Sequence, residues 1–144
     1  MRKKVYIIRG VPGSGKTSTA TEIMYEDEYA VHCSADNYFY EVAELNDTSY
    51  LEEFKPWLVG KAHQFCWGAF IHALVVMGEN TIIVDNTNIY KWEYENYVLL
   101  AKELGYEVEI IVTNMSESAE VYHERNTHGV PLEVIERMLR EFEH

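Results

Sequence analysis

The chain has 144 residues, of which 47% are hydrophobic, enough for one globular domain over residues 1–144 with a sheet covered on both faces. Its 24 acidic and 12 basic side chains give a net charge of −12, and residues 17–144 hold 7 basic against 24 acidic, which argues against long duplexes gripped through many phosphates. No run is apolar enough to span a bilayer, and the one after Met1-Arg2-Lys3-Lys4 stops at Arg9, too short for a secretory signal.

The two cysteines, Cys33 and Cys66, are too few for a disulfide framework or a zinc site and are expected as buried thiols. The expected setting is therefore the cytoplasm, that of a host cell if the chain is viral.

The first strand is expected over residues 5–8. The segment from Gly10 to Thr17, GVPGSGKT, then fits G-x-x-x-x-G-K-[ST] at every defined position and leads into a helix expected over 17–25. Glycines let the backbone approach phosphates, and a helix start offers free N–H groups and a positive dipole end. Gly10, Pro12, Gly13, Ser14, Gly15, Lys16, Thr17 and Ser18 are the expected nucleotide contacts. Lys16 would reach the terminal phosphates, and the Thr17 hydroxyl would ligate Mg²⁺. ATP and Mg²⁺ are the expected cofactors.

A second strand is expected over 29–33, ending at Ser34-Ala35-Asp36. Residues 37–50 are aromatic and polar without clean periodicity, and read as a substrate-side loop with at most one short helix. A long helix follows over 50–77, with Leu58, Ala62, Phe65, Ala69 and Ala73 as its stripe. Pro56 and Gly60 would bend its start, and Gly78 would close it. The run over 81–84 is a third strand, continuously apolar as a parallel core strand should be, and it ends at Asp85-Asn86-Thr87-Asn88. A helix over 92–104 turns Tyr97, Leu100, Ala101 and Leu104 inward. A strand over 108–112, a helix over 117–125 and a loop over 126–130 follow. Pro131 opens a last helix with Leu132, Ile135, Met138, Leu139 and Phe142 as its buried stripe. Alternating strands and helices predict an α/β fold: a doubly wound parallel sheet of about four strands, with a C-terminal helical lid.

Ligands of such a sheet bind at the carboxyl ends of its strands, where the phosphate loop, Asp36 and Asp85 arrive together. Transfer of a phosphoryl group to a hydroxyl needs a carboxylate to orient the nucleophile and accept its proton, and cations on the moving group. Asp36 is the better candidate for the base; its other reading is a cap on the turn at Asp36-Asn37. Asp85 would hold a metal-bound water, touch the acceptor, or only fix neighbouring loops. Tyr38, Phe39 and Tyr40 follow Asp36 as candidates to pack on an acceptor.

Arg125 and His128 flank the loop of a helix–loop–helix suited to act as a lid. One turn before Arg125 stand Val121 and Tyr122, so no carboxylate on its own face pairs with it. His128 is the weaker candidate, being open to simple solvation. Tyr90, Trp92, Tyr94 and Tyr97 are expected in packing, and Trp57 and Trp67 in the core or a groove wall. Arg2-Lys3-Lys4 sits at the opposite end of the first strand from the phosphate loop, roughly 20 Å away.

Taken together, GVPGSGKT at 10–17, HCSADNYF at 32–39, IIVDNTN at 82–88 and HERNTHGVP at 123–131 resemble the P-loop polynucleotide 5′-hydroxyl kinase family over nearly the whole chain. The chain is especially similar to the kinase domain of large vertebrate proteins that bind ubiquitin ligases, and also to the kinase half of a bacteriophage end-healing enzyme. The resemblance implies a P-loop kinase fold and a donor site at Gly13, Ser14, Gly15, Lys16 and Thr17. It further implies Asp36 as general base, Asp85 as an acceptor-side carboxylate and Arg125 as a lid arginine. Phe39 departs from the phage enzyme, which has an arginine there, and His128 falls near that enzyme's second lid arginine.

The leading expectation is an ATP-dependent kinase of a nucleic acid 5′-hydroxyl end. A small-molecule alcohol such as a sugar, nucleoside or antibiotic is the alternative acceptor, and a weakly active nucleotide-binding interaction module is the alternative class. No N-K-x-D motif favours a GTPase. Oligomeric state is left open, and no membrane partner is expected.

Overall fold

The structure is a computed structural model that describes residues 2–144. Four strands, β1 (Lys4–Arg9), β2 (Val31–Cys33), β3 (Thr81–Asp85) and β4 (Glu107–Val112), form a parallel sheet in the order β2-β3-β1-β4. In register Ile8 lies opposite Asp85 and Arg9 opposite Val112, so the carboxyl ends of the strands open on one edge. Alternation along β1 divides the core. Val5 and Ile7 pack with Phe70, Tyr97 and Ala101 on one face, and Ile8 packs with Ile83 and Ala20 on the other.

The helices are α1 (Lys16–Glu26), α2 (Asp36–Asn46), α3 (Tyr50–Glu53), α4 (Val59–Ile71), α5 (Lys91–Glu103), α6 (Ala119–Arg125) and α7 (Leu132–Glu141). Helix α1 covers one face of the sheet, while α4 and α5 cover the other. Helices α6 and α7 build a satellite core of Ala119, Tyr122, Ile135 and Phe142 against Val11 and Ile89, at the edge where the strands end. Among the described residues, no helix is long and apolar enough to cross a membrane.

Two expected elements differ. Residues 37–50 are no loop: most of the segment is the 11-residue helix α2, whose inward face is Phe39 and Ala43, four residues apart. The single helix over 50–77 is instead three pieces. Phe54 and Lys55 are extended because the residue before a proline is barred from the helical region, and Pro56 then opens a 3-10 turn over Pro56–Leu58. Gly60 lies inside α4 without dividing it, and α4 runs out into a π turn, His72–Val76, before Gly78. The buried line of α4 is Ala62, Cys66 and Phe70, one position along from the expected Phe65 and Ala69. Leu104 is exposed, and Tyr106 is the residue buried after α5, donating to the Glu79 carbonyl at 2.6 Å. Trp57 is 77% exposed rather than in a wall, and Trp92 is exposed with its ring stacked on Tyr90.

Both thiols are free and buried, and burial pushes Cys33 up to about 12, which leaves it inert. Arg2 and Lys4 pair with Glu107 and Glu109 on β4, exposed contacts worth little. Arg9, where the first apolar run stops, is only 3% exposed. Its Nε donates to the Asn88 carbonyl at 2.8 Å, and one terminal nitrogen donates to those of Ile89 at 3.1 Å and Glu143 at 2.7 Å. The rings of Tyr94 and Phe142 flank the guanidinium at 4.5 and 4.4 Å.

Replacing this group by an uncharged side chain takes a donor from three carbonyls, of which that of Ile89 keeps the Glu143 N–H. Arg9→Met is expected to cost about 2–4 kcal/mol in urea unfolding at unchanged m-value, the usual range for lost hydrogen bonds to a buried charge plus imperfect packing. A loss below about 0.5 kcal/mol would show that the clasp contributes nothing.

Candidate active site

Strand β1 delivers the phosphate loop directly. Gly10 N–H donates to the Thr87 carbonyl at 3.0 Å, and Ser14 N–H closes the turn on the Val11 carbonyl at 3.1 Å. Ser14 Oγ lies 2.6 Å from Thr113 Oγ1, at the end of β4, so the loop is fixed from both neighbouring strands. Gly13 has φ 81°, and a Cβ there would run into the Tyr122 carbonyl of α6. Gly15, with φ 98°, leads into α1 without a side-chain cap and without an acidic residue in the first turn. The first N–H groups of α1 are thus left without an anionic partner from their own helix, as a phosphate site requires.

Lys16 Nζ has one weak partner, the Val11 carbonyl at 3.2 Å. Burial lowers the pKa of its ammonium, against the pull of Asp85 and Asp36. A desolvated cation at a helix start is a fitting counterpart for phosphate oxygens. Thr17 and Ser18, on the exposed first turn, line the same cavity, with Gly13, Ser14 and Pro12.

That cavity, of about 720 Å³, runs from the phosphate loop to an opposite wall of Tyr40, Tyr50, Phe54 and Val59. Its size is in the range of small-molecule sites. Asp36, Asp85, Arg125 and His128 all border it.

Asp36 is the first residue of α2. Its carboxylate does not cap that helix; instead it accepts from Tyr50 Oη at 2.7 Å and lies 3.5 Å from His128 Nδ1. Asp85 is buried at the end of β3, with Oδ2 2.9 Å from His32 Nε2. The other residues of its motif tie the strand ends together. Asn86 Oδ1 accepts from Ala35 N–H at 2.9 Å, and Asn88 Nδ2 donates to the Ile8 carbonyl at 2.9 Å. Arg125 is exposed, and among the described residues its guanidinium is in no hydrogen bond or ion pair. His128 is half-buried and engaged, unlike a solvated loop histidine: its Nε2 meets Tyr40 Oη at 2.7 Å and its ring stacks on Tyr50.

The aromatic residues after Asp36 are placed differently from one another. Phe39 borders the cavity but is only 2% exposed, packed edge-on against Tyr50 and close to Phe54. Tyr38 packs on Phe39 and Phe65 and does not border the cavity. The cause is the helical form of the segment: consecutive residues fan out by about 100°, so Phe39 and Tyr40, three and four residues after Asp36, reach the cavity it borders and Tyr38 does not. His32, Tyr50 and His63 border the cavity without having been singled out. The signal for His32 lay in the sequence, since it opens the HCSADNYF segment. Tyr50 had none, because only the tertiary fold brings it to Asp36. Among the described residues, no group of three or more His, Cys, Asp or Glu side chains is set to hold a metal. The oxygen donors Thr17 and Asp85 do suit a hard divalent ion bound together with phosphate.

A family profile described as AAA domain matches residues 5–144. NEDD4-binding protein 2 of Homo sapiens is 33% identical over 140 residues, which are 95% of this chain and 7% of that protein, so the chain spans under a tenth of that relative's length. A chain of the Pnkp1/Rnl/Hen1 RNA repair complex superposes with a TM-score of 0.72 at 18% identity, over 98% of this chain and 44% of that one. A gluconokinase from Sinorhizobium meliloti 1021 superposes with a TM-score of 0.56 at 16% identity, over 100% and 78%. At these identities the two structures speak for the fold alone.

Lys16→Met removes a charge that burial disfavours in the ligand-free state. With the folded pKa of a base lowered, the unfolded chain holds the proton more firmly, so near neutral pH this lysine detracts from stability. The variant is expected to melt at or above the native temperature without ligand, and to lose the upward shift that ATP with Mg²⁺ gives the native chain. A native-size shift in the variant would remove Lys16 from the donor site.

Proposed function

The chain belongs to the AAA domain family, and on that premise we propose that it is an ATP-dependent kinase that phosphorylates the 5′-hydroxyl of a nucleic acid end. The observation that carries the reading is one cavity with the phosphate loop and Lys16 at one end and the Asp36 carboxylate towards the other. The acceptor hydroxyl would give its proton to Asp36 as its oxygen bonds to the γ-phosphorus. The bond from that phosphorus to the β–γ bridging oxygen breaks, and ADP leaves. Lys16 and the N–H groups at the start of α1 hold the donor phosphates, and Arg125 is free to swing onto the moving group. Mg²⁺, when bound with the nucleotide beside Thr17 and Asp85, would neutralise charge on its β- and γ-oxygens.

The nucleic acid acceptor is favoured by the order of the motifs along the chain and by the likeness to a component of an RNA repair complex. A small-molecule alcohol is the second reading. One observation favours it: of the residues bordering the cavity, only Lys16 and Arg125 carry a permanent positive charge. In either case the donor half of the site is the same.

Transfer from labelled ATP to 5′-hydroxyl oligonucleotides, nucleosides and sugars tests the acceptor directly, with the oligonucleotide expected to be labelled best. Asp36→Asn should retain ATP binding and lose roughly 10²-fold or more in turnover, as removal of a general base does. Arg125→Ala should lower turnover more than ATP affinity, and an unchanged turnover number would make it a surface residue. With so few cations at the site, oligonucleotide binding should depend weakly on salt, with a slope of about −1 to −3 in log K against log salt. A steep slope, with affinity still climbing beyond ten nucleotides, would contradict the proposed mode of recognition.

A further inference from the structure

The Asp36 carboxylate is held from two sides by residues with no role so far. Tyr50, at the start of the short helix α3, is buried and donates to Asp36 Oδ1 at 2.7 Å. His128, in the loop between α6 and α7, places Nδ1 3.5 Å from Oδ2. Its ring lies on that of Tyr50 with centroids 4.3 Å apart and planes 30° from parallel. On the far side of the imidazole, Tyr40 Oη is 2.7 Å from Nε2.

The direction of these bonds follows from the groups. A carboxylate only accepts, so with a hydrogen on Nδ1 the imidazole presents it to Asp36, and in the tautomer that leaves a lone pair at Nε2 Tyr40 is the donor. Tyr50 thus donates directly to the Asp36 carboxylate, and Tyr40 bonds to the far side of the imidazole that lies next to it.

The loop itself is shaped to present His128. Asn126 Oδ1 accepts from His128 N–H at 3.0 Å, and Gly129, at φ 71°, brings the backbone against Leu51 of α3. The polar contact between this loop and the acceptor wall is made by His128, beside the approach of Gly129 to Leu51.

We infer that Tyr50 and His128 are positioning residues for Asp36, and that His128 ties the 126–130 loop to that carboxylate, so that closing the loop and orienting the base are one event. The inference rests on the reading of Asp36 as the base. Lys16 from α1 and, at longer range, Cys66 from α4 also bear on Asp36 electrostatically, and His63 and Arg125 border the same cavity. None of these bridges loop and carboxylate.

Four variants test it: Tyr50→Phe, His128→Ala, His128→Asn and Asp36→Asn. Tyr50→Phe keeps the ring and its stacking and removes only the donor. Together with His128→Ala it should lower kcat about tenfold while KM for ATP stays within about twofold, a split that general loosening of the fold would not give. Asparagine can present an amide N–H near the place of Nδ1, so His128→Asn should recover most of the kcat that His128→Ala loses. Placed on Asp36→Asn, neither Tyr50→Phe nor His128→Ala should lower turnover further, because both act through that carboxylate.

Amide hydrogen exchange gives a readout independent of activity. Tyr50→Phe, His128→Ala and Asp36→Asn should each speed exchange over 126–130 severalfold and leave β1 and β3 unchanged. Unaltered loop exchange, additive losses on the Asp36→Asn background, or no recovery by His128→Asn would overturn the inference. If Asp36→Asn turns over at the native rate while its loop loosens, the reading of Asp36 as base fails and the tie between loop and carboxylate stands.

Discussion

A single buried guanidinium holds the upper edge of this molecule together. Arg9 ends the central strand, and the next residue begins the phosphate loop. An unpaired cation in that position would cost several kcal/mol, so the chain around it must supply acceptors. It does so with carbonyls of Asn88 and Ile89, from the segment after β3, and of Glu143, from beyond α7. Asn88 sits at φ 47°, which aims its carbonyl at Arg9 while its side-chain amide reaches back to Ile8. Two segments far apart in sequence are thereby referred to the residue from which the phosphate loop departs. The loop is rigid because its base is.

The two halves of the cavity are built differently. The donor half rests on sheet ends and glycine geometry: Ser14 on Thr113, Gly10 on Thr87, Gly13 against Tyr122. The acceptor half is assembled from short pieces, namely one turn of α2, the four-residue α3 and the loop after α6. Each carboxylate there has an imidazole beside it, His32 for Asp85 and His128 for Asp36. On the proposed reading, changes in these short pieces would alter the acceptor and leave the phosphate loop undisturbed.

This division also explains what could be read from the sequence. The phosphate loop was legible because its chemistry needs contiguous residues, and Asp36 and Asp85 because each follows a strand. The partners were not. His32 is 53 positions from Asp85, and Tyr50 and His128 are 14 and 92 from Asp36; no local pattern encodes such pairings. Helix α2 was hidden because its buried face consists of only Phe39 and Ala43, too little for a periodic signal. The line of α4 was read one residue off because Cys66 was treated as a thiol rather than as a small apolar side chain. The burial of Arg9 has no signature in a count of charges.

The Arg9 clasp also sets an order of mechanical failure. Strand β1 lies between two parallel neighbours, so tension drawn along it loads every rung of both ladders at once. The segment after α7 is fastened differently, by Arg9 on the Glu143 carbonyl and by Glu143 N–H on the Ile89 carbonyl, bonds that can part in succession. A force applied between residues 4 and 143 would therefore unzip the carboxyl-terminal strap and then peel α7, with Met138 of the cavity wall, from the satellite core. The phosphate loop, anchored in the sheared sheet, would be among the last parts to yield.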